Sequence, residues 1–153
     1  MNNITRIESP VGFAVAVENP SVMSAFMHKA AYIPCICISG QPNITCLIVL
    51  KQLYSSGCKL YYSGDFDPEG ILIADKLWRR FPKMEFICME EFYYRKSLSN
   101  VFLDEKRLKK LERVENQNLR KLSSYISDIK FAGYQERITE DIIAFANKAL
   151  YLS

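Results

Sequence analysis

A chain of 153 residues, 49% hydrophobic and 24% charged, carries enough apolar material for one domain with a real core and too little for two. Its longest apolar runs, such as Ile44 to Leu50, are interrupted by Thr45 and followed by Lys51, far short of a membrane span. The net charge of +3 does not by itself point to a polyanionic partner.

The first ninety residues alternate strand and helix signals. Phe13 to Val17 is a short apolar strand, and Ser21 to Ala30 follows as a helix. Pro34 to Ile38 is a second strand, followed by a largely apolar helix from Ile44 to Tyr54. Lys59 to Ser63 is the third strand, Ile71 to Phe81 the third helix, and Met84 to Met89 a fourth strand. Continuous apolar strands alternating with helices predict an α/β fold with a parallel sheet covered on both faces. Residues 90–103 are mixed, and Leu108, Leu111, Leu119 and Leu122 mark short amphipathic helices. Gly133 breaks the chain before a last helix, Ile138 to Leu150. In that helix Ile138, Ile142, Ile143, Phe145, Ala146 and Ala149 form a stripe that can return to the sheet. One domain is expected over 1–153, an α/β core at 12–90 with a mainly helical extension at 91–153 packed on it.

Three strands run into polar turns containing a proline: Glu18-Asn19-Pro20, Gly40-Gln41-Pro42 and Asp65-Phe66-Asp67-Pro68. Right-handed crossovers bring all three turns to one rim of a parallel sheet, the edge where such sheets build their sites. Glu18 and Asp65 meet only if the first and third strands are neighbours, as in a four-stranded order 2-1-3-4. Asp67 with Pro68 reads as an N-cap followed by the first helical position, which alone accounts for Asp67. Asp65 is surplus to capping, so the joint pattern is hard to obtain from helix chemistry. Glu69, in the first helical turn, favours the helix dipole and reads as structural; Asp75, a turn further on, reads as solvent-facing. Asp65 and Asp67 can hold a magnesium ion directly or through water, with positions left for phosphate oxygens. Glu18 can complete the site as a ligand or act as general acid or base, because clustered carboxylates raise one another's pKa. Phosphoryl transfer or phosphodiester cleavage is the chemistry such a triad serves.

The remaining signals are weaker. Cys35, Cys37, Cys46, Cys58 and Cys88 are odd in number and fall mostly inside predicted elements, as reduced thiols of a cytoplasmic protein would. Cys35-Ile36-Cys37 has no zinc spacing, and the single histidine, His28, reads as a surface helix residue. Met1 to Pro10 is polar and lacks a signal-peptide core. Lys106, Arg107, Lys109, Lys110 and Arg113 form a basic patch, and Arg95-Lys96 follows Phe92-Tyr93-Tyr94. Bases beside aromatics suit a phosphate backbone with unstacked bases, but Asp104, Glu105, Glu112 and Glu115 interleave as on a solvated helix face.

Glu18 after the first strand and Gly64-Asp65-Phe66-Asp67-Pro68-Glu69-Gly70 after the third resemble the toprim domain of topoisomerases, primases and DNA-processing nucleases. The Asp-x-Asp-Pro-x-Gly form is closest to that of type IIB topoisomerase A subunits and the related meiotic double-strand-break protein. Val17-Glu18-Asn19-Pro20-Ser21, Ser39-Gly40-Gln41-Pro42 and Tyr134-Gln135-Glu136 are similar to the C-terminal toprim-like domain of an uncharacterised bacterial protein family. That family is akin to the nuclease subunit of Wadjet-type plasmid-defence systems. The resemblance spans roughly Gly12 to Leu150. It implies a toprim (Rossmann-like) fold, Glu18 as the toprim glutamate, and Asp65 and Asp67 as aspartates binding Mg2+ or Mn2+. It also implies DNA as partner, phosphodiester cleavage as activity, and further domains or subunits of a DNA-processing complex, with a homodimer as one form. A complete topoisomerase is excluded, since no winged-helix domain with a nucleophilic tyrosine accompanies the motif. Relatives usually carry this domain at the end of a longer polypeptide, so the chain is expected to be a fragment or a stand-alone module with a partner. The alternative is a non-catalytic module that binds nucleic acid or a protein, with a structural or vestigial metal site. A phosphoacceptor or phosphatase-like domain fits poorly, because no lysine follows a fifth strand.

Overall fold

The computed structural model describes residues 6–153. Residues 1–5 lie outside the described part, so the reading of Met1 to Pro10 as free of a leader falls on it only in part. The α/β core runs β1 (Phe13–Val17), α1 (Pro20–Lys29), β2 (Cys35–Cys37), α2 (Ile44–Ser55), β3 (Lys59–Ser63), α3 (Pro68–Arg80) and β4 (Glu85–Phe86). The C-terminal part continues with α4 (Glu91–Ser97), β5 (Leu98–Phe102), α5 (Glu105–Leu108), a 3-10 helix (Lys109–Arg113) and α6 (Gln117–Ile129). It ends with β6 (Phe131–Gly133), a second 3-10 helix (Gln135–Ile138) and α7 (Thr139–Leu152).

The four core strands form a parallel sheet in the order β2-β1-β3-β4, as the strand-end acids required. Every residue of β1 is buried, which is why its sequence is apolar without alternation: it has a strand on either side and helices on both faces. Right-handed connections put α1 on one face and α2 with α3 on the other. Tyr54 of α2 meets Phe81 at the end of α3 on the second face, and α7 packs beside α1 on the first. Ile138, Ile142, Ile143 and Ala146 are buried as their spacing predicts. Phe145 stays partly exposed and lays its ring edge-on against Tyr61. No helix among the described residues is long and apolar enough to cross a membrane.

Two strands are shorter than their apolar runs. The fourth, expected over Met84 to Met89, is only Glu85–Phe86: Met84 is turned back onto the Phe81 carbonyl, and Cys88 has φ +53°. The second ends at Cys37 because Ser39 and Gly40 both take positive φ. The mixed stretch 90–103 resolves into α4 and β5. Gly133 does not simply break the chain; it is the last residue of β6, which pairs antiparallel with β5. Asp75 is a correction of a different kind. It is fully buried rather than solvent-facing, accepting the Glu115 and Asn116 N–H groups on one oxygen and the Arg79 guanidinium on the other. It thereby fastens α3 to the start of α6.

Candidate functional site

Register places the acids. Val17 of β1 pairs with Ser63 of β3, so the two strands end side by side and Glu18 emerges beside Gly64 and Asp65. Gly64 makes the approach possible, since a β-carbon there would stand 2.6 Å from the Tyr62 hydroxyl and 3.0 Å from Glu18 Oε2. The Asp65 N–H donates to Glu18 Oε2 at 3.0 Å, joining two acids 47 residues apart in the chain. The Ser39 N–H donates to the Glu18 carbonyl, so the turn after β2 also holds this strand end.

Phe66 explains why the two aspartates are separated by one residue. It is fully buried against Tyr94, and its backbone forms an antiparallel bridge to Gly133, with N···O distances of 2.8 and 3.0 Å. An extended segment turns alternate side chains to opposite sides, so anchoring Phe66 inward leaves Asp65 and Asp67 on the half-exposed side. Asp67 caps α3, accepting the Gly70 N–H at 2.7 Å, with Pro68 at the helix start. Gly70 is required there, because a β-carbon would meet the Asp65 carbonyl oxygen at 2.5 Å. Glu69 carries more than a dipole interaction. Arg107 of α5 grips it with Nε and Nη2 at 3.3 and 2.7 Å, and Lys110 adds a contact at 3.0 Å. Those cations hold its carboxyl down to about 2.

Each acid of the triad has one oxygen committed to a backbone N–H: Glu18 Oε2 to Asp65, Asp65 Oδ1 to Gln135, and Asp67 Oδ1 to Gly70. Glu18 Oε1 and Asp65 Oδ2 have no hydrogen-bond partner among the described residues, and Asp67 Oδ2 faces only Arg107 Nη2 at 3.6 Å. Burial pushes Glu18 up to about 7, against the opposing Asp65 N–H and with repulsion from Asp65 and Asp67. Burial likewise raises Asp65 to about 6, offset by the Gln135 N–H and reinforced by Asp67 and Glu136. Asp67 is also raised by burial, while its bond from Gly70, Arg107 and Lys110 pull the other way. Beneath them the Tyr62 hydroxyl is fully buried and has no hydrogen-bond partner among the described residues.

This donor set fits a hard cation. Its free atoms are carboxylate oxygens, its charges are uncompensated except at Asp67, and an orphaned hydroxyl lies below. Among the described residues no three His, Cys, Asp or Glu side chains converge into a ready-made cage. The free oxygens of Glu18, Asp65 and Asp67 line an open edge, a donor type that suits a hard cation retaining part of its water shell.

The basic candidates divide. Arg107 and Lys110 reach the acid site through Glu69, whereas Arg95 pairs with Glu91 on its own helix and Lys96 with Asp141. Lys106 and Lys109 are exposed and make no ion pair among the described residues. Of the neighbouring aromatics Phe92 is exposed, but Tyr94 is a core residue whose hydroxyl donates to the Phe131 carbonyl, so it offers no stacking face. Gln135 contacts both strand ends, and its one sequence signal is the Tyr134-Gln135-Glu136 fragment of the resemblance, which implies no role for it.

Residues 4–144 match the family model described as "Protein of unknown function C-terminus (DUF2399)". The chain belongs to this family. The match takes in the whole parallel sheet, all three acids and the Gln135 segment, so the site lies wholly inside the region that defines the DUF2399 family. No curated protein matches the chain.

Proposed function

We propose that this DUF2399 chain is a toprim-type module that acts on DNA with Mg2+ or Mn2+, cleaving phosphodiester bonds as the nuclease component of a larger DNA-processing or defence system. The observation that carries the reading is the Glu18–Asp65 hydrogen bond across the β1 and β3 ends, with the second oxygen of each acid left free. Glu18, Asp65 and Asp67 would hold the metal, which supplies charge neutralisation at the scissile phosphate. Alternatively Asp65 and Asp67 alone would hold the metal and Glu18, which burial raises to about 7 when no cation screens the cluster, would take or give a proton as general acid or base. Arg107 and Lys110, next to Asp67, supply cationic contacts for a phosphate backbone. The toprim resemblance of the Gly64 to Gly70 segment supports the assignment to DNA chemistry.

A second reading, a binding module without cleavage, draws on the Arg107 guanidinium beside Asp67 Oδ2, where it partly satisfies a ligand atom. Incubation of supercoiled plasmid with the purified protein and either metal separates the two. Metal-dependent nicking that disappears in Asp65→Ala supports the nuclease; nicking that survives loss of both Asp65 and Asp67 sinks it. Retarded DNA without any cut product supports the binding module.

A further inference from the structure

Gln135 lies 117 residues from Glu18 and 70 from Asp65, yet it touches both strand ends. The parallel ladder between β1 and β3 ends at Val17 and Ser63, where the chain departs into α1 on one side and the aspartate loop on the other. Backbone groups just past a ladder lose their partners and must find others when buried. Gln135 supplies them. Its Oε1 accepts the N–H groups of Glu18 and Asn19 at 3.2 and 3.1 Å, and its Nε2 donates to the Ser63 carbonyl at 2.6 Å. Its own N–H donates to Asp65 Oδ1 at 2.7 Å. The side chain is completely buried. Only a primary amide of this length does all of this. A carboxylate would accept from Glu18 and Asn19 but face the Ser63 carbonyl with another lone pair, and asparagine is one methylene short.

We propose that Gln135 is the positioning residue that sets where Glu18 stands relative to Asp65, and that the C-terminal segment is thereby part of the site. Its consequence for metal use rests on the metal-dependent reading above; the positioning itself does not. Partners that orient metal ligands are typically worth about 10–100-fold in metal affinity or activity.

The test uses Gln135→Met, which keeps the length and near volume of the side chain while removing three hydrogen bonds. In the metal-free protein, amide hydrogen exchange is read at Asp65, whose N–H is held by Glu18 Oε2, and at Val15, whose N–H is held within the sheet by the Pro34 carbonyl. Exchange at Asp65 about tenfold faster with Val15 unchanged is expected, the loss of roughly one local hydrogen bond's protection. In plasmid nicking, half-maximal activity should need about 10–100-fold more Mg2+ with the rate at saturating metal nearly kept. An Asp65 amide that exchanges as in the parent protein overturns the proposal, and so does equal acceleration at Asp65 and Val15, which marks a merely structural role. If Gln135→Met does not fold, Gln135→Asn is read by the same two amides with the same criteria. A parent protein that cuts no DNA with either metal refutes the nuclease reading alone, and the exchange result still decides the positioning role.

Discussion

Glu18→Gln should stabilise this protein, and more so as the pH rises. The substitution keeps an acceptor for the Asp65 N–H and removes a charge that burial and two neighbouring aspartates disfavour. Glu18 stands at about 7 in the folded protein against an ordinary 4.5, so the folded state holds a proton that the unfolded chain has released between these values. Stability therefore falls as pH rises through that window, and the cost is fully developed above pH 7. At about 1.4 kcal/mol per tenfold in acidity the displacement corresponds to an upper limit of about 3 kcal/mol. Partial exposure and solvent screening reduce this to about 1–2 kcal/mol. Urea denaturation of both proteins at pH 4.5 and pH 8 measures it: near equality is expected at the lower pH and a gain of about 1–2 kcal/mol at the higher. Millimolar Mg2+ should close the gap by stabilising the parent protein at pH 8, since a ligand that binds only the folded state shifts the equilibrium. A variant no more stable than the parent at pH 8 would falsify the account of the acid cluster as a site held at a cost in stability.

Two further outcomes are expected. Asp75→Ala leaves the Glu115 and Asn116 N–H groups and Arg79 without their shared acceptor, and should cost about 2–4 kcal/mol in chemical denaturation; a loss below about 1 kcal/mol would contradict its anchoring role. Arg107→Ala should weaken DNA binding in fluorescence anisotropy and lower the slope of log affinity against log salt by about one, the release of one phosphate contact. An unchanged slope would remove Arg107 from the interface.

The core strands and their order were legible because each rule involved is local or topological. An all-apolar β1 declares its burial, and crossover handedness with two acids at strand ends leaves few sheet orders. Asp67 was legible as a cap because Pro68 follows it immediately. Asp75 was misread because its partners are backbone N–H groups forty residues further along, which leave no mark on the periodicity of α3. The β5–β6 pair escaped for a similar reason: Ser99 and Asn100 interrupt β5, β6 is only three residues long, and α5, a 3-10 helix and α6 separate the two. The basic clusters looked alike in sequence, and only the position of α5 and the 3-10 helix after it, beside the start of α3, distinguishes Arg107 and Lys110 from Arg95 and Lys96.

Composition, apolar runs and turn residues were thus sufficient for the parallel sheet and its order, for the cap at Asp67, and for bringing Glu18 and Asp65 to neighbouring strand ends. These follow from interactions within a few residues, or from the few ways a right-handed crossover can close. How the acids are held was decided by tertiary structure. Gln135 buried between the strand ends, Phe66 bridged to Gly133, and Glu69 gripped by α5 all depend on hydrogen bonds and ion pairs between distant segments. Such contacts obey no period and need no particular neighbour in sequence, so they come into existence only once the chain has folded back on itself.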